Sequence, residues 1–95
     1  MQLFYSAYQV IVLQTTEDYE SLPSAYETKL EDYRSSIEKN VPFYITAELQ
    51  TEFLFSRTSF VVGDGQIYNT YENVPLEPAS YKIYQRSVTR VVNVC

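Results

Sequence analysis

Ninety-five residues make at most one small domain, and 45% hydrophobic and 20% charged residues with two glycines and four prolines describe a globular chain, neither disordered nor collagen-like. Seven basic residues against twelve acidic ones leave a net charge of −5, the wrong sign for a nucleic-acid surface. There is no histidine and a single cysteine, Cys95, so no metal, no cofactor and no disulfide within the chain is expected.

Residues 3–13 (LFYSAYQVIVL) are rich in β-branched and aromatic types and free of Gly and Pro, which predicts a strand. Phe4, Tyr8, Val10 and Val12 share one face, and Ile11 and Leu13 make the other apolar near its end, so the strand reads as central. Residues 14–40 carry seven acidic side chains (Glu17, Asp18, Glu20, Glu27, Glu31, Asp32, Glu38) against Lys29, Arg34 and Lys39. Within them Ser24-Ala25-Tyr26-Glu27 fits a capping box. Tyr26, Leu30, Tyr33 and Ile37 then form one stripe of an amphipathic helix over about 25–39, with Asn40 to close it and Pro42 beyond. The charge is the wet face of this helix and its lead-in loop.

Residues 41–49 (VPFYITAEL) alternate, with Val41, Phe43, Ile45, Ala47 and Leu49 on one side and Tyr44, Thr46 and Glu48 on the other. This predicts a half-buried strand with Glu48 in solvent. Phe60, Val61 and Val62 read as a short strand ending at the tight turn Gly63-Asp64-Gly65, which holds both glycines of the chain. The following QIYNTYENVPL (66–76) reads as a loop or bulged strand, and residues 80–92 as a long strand. The faces of that last strand are Tyr81, Ile83, Gln85, Ser87 and Lys82, Tyr84, Arg86, Val88. The order of elements predicts a mostly β, antiparallel fold with one helical insertion.

No residue set points to catalysis. Cys95 has no histidine to activate it, and Gly63-Asp64-Gly65 lacks the lysine and helix of a phosphate loop. Asp64 with Glu72 or Glu77 lacks calcium-loop spacing, and Glu48 with Glu52 reads as solvated surface rather than a carboxylate pair. The ten tyrosines and five phenylalanines suit a sheet core and cross-strand pairs. Other uses are a contact patch for a partner protein and phosphorylation of Tyr19, Tyr26 or Tyr33 in the acidic stretch. Asn40, Asn69, Asn73 and Asn93 all lack a glycosylation sequon. No run of about 18 apolar residues occurs. Met1–Tyr5 shows no basic segment leading into an apolar one. Taken as complete, the chain reads as cytoplasmic.

Three stretches nevertheless share one resemblance. Ser6-Ala7-Tyr8-Gln9-Val10-Ile11-Val12, then Val41–Leu49, then Phe60-Val61-Val62-Gly63-Asp64-Gly65-Gln66-Ile67-Tyr68 continuing to Pro75-Leu76-Glu77-Pro78-Ala79-Ser80-Tyr81-Lys82-Ile83-Tyr84 occur in register. Together they resemble the membrane-proximal fibronectin type III domain of receptor-type tyrosine-protein phosphatases. The resemblance implies an incomplete fibronectin type III, immunoglobulin-like sandwich, with 3–13 as strand C, 41–49 as strand C′, about 59–74 supplying strand E and 80–92 as strand F. Strands A, B and G have no counterpart in this reading. Leu76, Pro78 and Tyr81 would form the structural corner, its tyrosine hydroxyl bonding back to the preceding turn. Gln85 and Ser87 stand where the family buries apolar or small side chains. That implies either a solvated face on strand F or a shifted register. With strands A and B missing, Tyr8, Val10, Ile45 and Ile83 are expected to lose most of their cover. The family's phosphatase activity resides in other domains, so the implied function is a non-catalytic interaction and spacer module at the cell surface. Its partners would be a protein or neighbouring receptor domains, with no small-molecule substrate and no membrane contact of its own. The competing readings are a truncated fragment without independent function and a small intracellular regulatory protein.

Overall fold

A computed structural model of the chain describes residues 2–51 and 59–93. Glu52 and Cys95, both weighed above, lie outside the described residues.

The longest apolar run becomes the centre of the sheet. Strand β1 (Gln2–Gln14) is flanked by β2 (Phe43–Gln50) and β5 (Tyr81–Asn93), both antiparallel to it, in the order β2-β1-β5. β5 pairs along all of β1, from Gln2 opposite Asn93 to Gln14 opposite Tyr81, without a register shift. The fold is thus mostly β and antiparallel, as the order of elements predicts. A two-residue hairpin, β3 (Ile67–Tyr68) and β4 (Tyr71–Glu72), forms a second small sheet.

The expected single helix over 25–39 is two short helices, α1 (Ser24–Glu27) and α2 (Tyr33–Lys39). The capping box does not form, because Pro23 occupies the N-cap of α1 and no side chain caps it. A second start signal, Asp32, caps α2 by accepting from Ser35 N at 3.0 Å, and Asn40 closes α2 in the left-handed conformation. The break between the helices has a cause. Ile45 N donates to the Glu31 carbonyl at 2.8 Å, so the connecting chain crosses the outer edge of β2 instead of continuing a helix. On one side of β2, Tyr26 stacks on Phe43 with ring centroids 4.6 Å apart. On the other, Tyr33 meets Tyr44 edge-on at 5.0 Å.

This wrapping corrects the half-buried reading of β2, which is buried on both faces from Phe43 to Leu49. A bulge corrects it further. Val10 pairs with Ala47 but Ile11 pairs with Ile45, leaving Thr46 as the extra residue. From that point the alternation reverses. Ala47 and Leu49 join the face of Tyr44, and Glu48 moves to the face of Phe43 and Ile45, because a one-residue slip inverts every later side chain.

Two core clusters result. Ile11, Leu13, Leu22, Phe43 and Ile45 pack together with Tyr26, Leu30, Val41, Tyr71 and Tyr84 around them. Val10, Ala47 and Leu49 lie under Phe60, Val62 and Tyr68. Burying each such aliphatic side chain contributes about 1.5–3 kcal/mol, so the first cluster holds the insertion to the sheet and the second holds the segment 60–68. They also correct the expected loss of cover. Val10 and Ile45 are buried and Tyr8 is half-buried, leaving Ile83 alone of the four exposed. Phe60, Val61 and Val62 do not form a strand. Val61 turns its side chain to solvent, and its carbonyl accepts from the Asn73 side chain instead of a ladder partner.

Candidate functional site

The corner before β5 is built from local geometry. Tyr81 Oη donates to the Glu77 carbonyl at 2.7 Å, four residues back. Leu76 is half-buried there, and Pro78 is exposed at the bend. With α2, the corner bounds a shallow cleft lined by Tyr33, Ile37, Pro42, Tyr44, Pro75 and Tyr81. Burial, with Tyr81 and Tyr33 nearby, pushes the Tyr44 phenol up to about 12.

The glycine tripeptide is a turn held from within. Gly63 has φ +90°, which calls for glycine, and a Cβ there would crowd Leu76 N at 3.2 Å. Asp64 Oδ1 accepts from Gln66 N at 2.8 Å and from Asn73 Nδ2 at 2.9 Å, and Oδ2 accepts from Tyr68 Oη. Its carboxylate is therefore engaged by three protein donors. The residue that organises this loop is Asn73, which is fully buried. Its Oδ1 accepts from Thr46 Oγ1 at 2.7 Å and Gly63 N at 2.8 Å, and its Nδ2 donates to the Val61 carbonyl at 2.8 Å as well as to Asp64. Asn73 ties the loop to the bulge of β2. Composition gave no sign of this, since Asn73 reads as one more loop asparagine before Val74-Pro75.

A second polar centre sits on the face that the bulge gives to Glu48. Glu48 is buried, contrary to the solvated position expected from alternation. It accepts from Gln9 Nε2 at 3.0 Å, Asn69 Nδ2 at 2.6 Å and Arg90 Nε at 3.1 Å, and pairs with Arg90 Nη2. Gln9 Oε1 in turn accepts from Arg86 Nε at 2.7 Å, which extends the network to β5. The Arg90 hydrogen bonds outweigh burial and hold the Glu48 carboxyl below its ordinary range, and the same pairing pushes the Arg90 guanidinium up. A carboxylate saturated by donors from two neighbouring strands and a hairpin is a structural centre, without an open side for a substrate. The alternation of β5 places Arg86 and Arg90 on this face, but only the bulge reveals that Glu48 meets them.

The opposite face of β1 and β5 is different. Phe4 pairs with Val91 across the strands, and the two are 66% and 51% exposed. Ile83 lies farther along the same face, and Gln85 and Ser87 between them are exposed. With no register shift between β1 and β5, solvation is what places Gln85 and Ser87 outside the core.

Among the described residues no group of three or more metal-ligating side chains converges, and no helix is long and apolar enough to cross a membrane. In comparison with known families, residues 4–93 match the receptor-type tyrosine-protein phosphatase U Fn3 domain, which is nearly the whole chain. A fibronectin type III domain of this kind is a non-catalytic β module. With its antiparallel strand order and a family match over residues 4–93, the chain belongs to the fibronectin type III domains of receptor-type tyrosine phosphatases.

Proposed function

We propose that this chain is a non-catalytic interaction and spacing module of a receptor ectodomain, working outside the cell through contact with a protein partner or neighbouring receptor domains. The observation that carries the reading is the family match over residues 4–93. The strand order β2-β1-β5 supports it, being the order that strands C′, C and F take when they share one sheet of such a sandwich. The exposed Phe4–Val91 pair supports it as well, since exposed apolar side chains paired across a sheet edge are suited to protein contact. In this reading Leu76, Pro78 and Tyr81 are structural corner residues and Gly63, Asp64 and Gly65 a structural turn, with no catalytic, cofactor or metal role for any of them.

Two measurements test it. Cells making the natural product that carries this sequence are labelled with a membrane-impermeant amine reagent. Labelling of intact cells is expected, whereas labelling only after permeabilisation overturns the extracellular assignment. The chain itself is then given a phosphotyrosine peptide. No turnover is expected, and turnover that disappears in Cys95→Ser overturns the non-catalytic assignment.

A further inference from the structure

Of the ten tyrosines in the chain, Tyr19 alone is exposed, at 38%. The other two tyrosines of the acidic stretch are occupied, Tyr26 against Phe43 and Tyr33 against Tyr44. Tyr19 lies within residues 15–23, which form neither helix nor strand, so its side chain is presented from a surface loop. What holds the segment leaves the ring outside. The Tyr19 carbonyl accepts from Tyr84 Oη at 2.9 Å, and the neighbouring Asp18 carboxylate accepts from Lys82 Nζ at 2.6 Å. Glu17 and Glu20 flank the tyrosine and are exposed. An enzyme that transfers an anionic group must hold an anionic donor, so its cleft is basic and favours acidic flanks of this kind.

We infer that Tyr19 is a sulfation site, the acceptor of a sulfuryl group delivered by a tyrosine sulfotransferase in the secretory lumen. Its choice over phosphate rests on the extracellular reading above. In the reaction the Tyr19 phenol gives its proton to a base of the transferase and its oxygen attacks the sulfur of a nucleotide phosphosulfate. The oxygen–sulfur bond to tyrosine forms, the bond from sulfur to the donor's phosphate oxygen breaks, and the nucleotide leaves with that electron pair. The product is a fixed anion with three acceptor oxygens beside Glu17 and Glu20, an epitope for an arginine- or lysine-bearing partner.

The full chain is incubated with a purified tyrosine sulfotransferase and radiosulfur-labelled phosphosulfate donor, and in parallel with a tyrosine kinase and ATP. Sulfur label on the peptide containing Tyr19 is expected, abolished in Tyr19→Phe and retained in Tyr33→Phe. Combining Glu17→Gln with Glu20→Gln, which spares the Asp18–Lys82 pair, is expected to lower kcat/KM by about tenfold. No sulfur incorporation, incorporation that survives Tyr19→Phe, or modification by the kinase alone overturns the assignment. The reaction is run on isolated protein, so its failure is separable from failure of the surface-labelling test.

Discussion

Strands β2 and β5 flank the same central strand with the same antiparallel pairing, yet β2 is buried on both faces and β5 alternates between half-buried and exposed. Hydrogen bonding to β1 therefore does not decide burial. β2 has α1 and Tyr26 over one face, α2 and Tyr33 over the other, and the chain at Glu31 along its edge. β5 has cover on one face only, where Arg86 and Arg90 reach the polar centre at Gln9 and Glu48. A strand in this domain is buried by what crosses it.

The sharpest way to break that comparison is to truncate an isoleucine on each flanking strand. Ile45, 2% exposed in the first core cluster, is expected to cost about 3 kcal/mol as Ile45→Ala, from lost transfer energy and the cavity left behind. Ile83, 47% exposed on β5, is expected to cost under about 1 kcal/mol as Ile83→Ala. Urea melts of the two variants measure the gap, and equal losses would mean that the bare face is covered in solution. Asn73→Ala should follow closely at about 2–3 kcal/mol, because Thr46 Oγ1, Gly63 N and the Val61 carbonyl lose their buried partner together. Amide exchange should then accelerate at Gly63 and Gly65 before it does in β1. Uniform acceleration would refute the local clamp.

How much of this was legible in the residues depends on how local each signal is. The three sheet strands were, because 3–13, 41–49 and 80–92 carry β-forming runs, and one helical segment among several strands lacks the repeated strand–helix alternation of a parallel sheet. The capping residue of α2 was available as Asp32 ahead of Tyr33, but the stripe Tyr26-Leu30-Tyr33-Ile37 masked it by fitting one continuous helix. Ile37 is in fact 62% exposed, so the stripe does not face the core throughout. The fate of Glu48 was not legible. A bulge at Thr46 has no residue signature, and its effect on every later side chain is visible only once Val10 and Ile11 are paired with β2. Asn73 was hidden for a similar reason, its partners lying as far away as Thr46. The Asn69-Thr70 turn was obscured because Thr70 stands where such hairpins favour glycine.

Glu48 sharpens the comparison through pH. Its carboxyl is held low in the folded protein, chiefly by the Arg90 hydrogen bonds, so folding favours the ionised form. A depressed folded value contributes stability that is complete above the unfolded value, near 4.5, and is lost as pH falls through the folded one. Glu48→Gln should therefore lower stability at neutral pH by about 1–3 kcal/mol and flatten the acid side of the stability profile. Thermal melts between neutral pH and the acid range read both effects. An unchanged acid slope would show that Glu48 is not the group whose protonation loosens the face shared with β5.

One further expected effect has the opposite sign. The β3–β4 hairpin closes over two residues, Asn69 at φ +50° and Thr70 at φ +71°, with Tyr68 paired to Tyr71. Positive φ at both central positions marks a type I′ turn, which suits Asn at the first and Gly at the second. A β-branched residue in that region is strained by about 1–3 kcal/mol. The greater freedom of glycine in the unfolded chain returns up to about 1 kcal/mol of this. Thr70→Gly should thus stabilise the domain by about 1 kcal/mol, seen as a higher urea midpoint at unchanged slope. It should also tighten the Asn69 contact to Glu48, because the turn that aims Asn69 at Glu48 would no longer be under strain. Combining Thr70→Gly with Glu48→Gln separates the two effects. A gain that persists in the double variant belongs to the turn alone, and a gain that vanishes means that the hairpin acts through the buried carboxylate linking β1, β2 and β5.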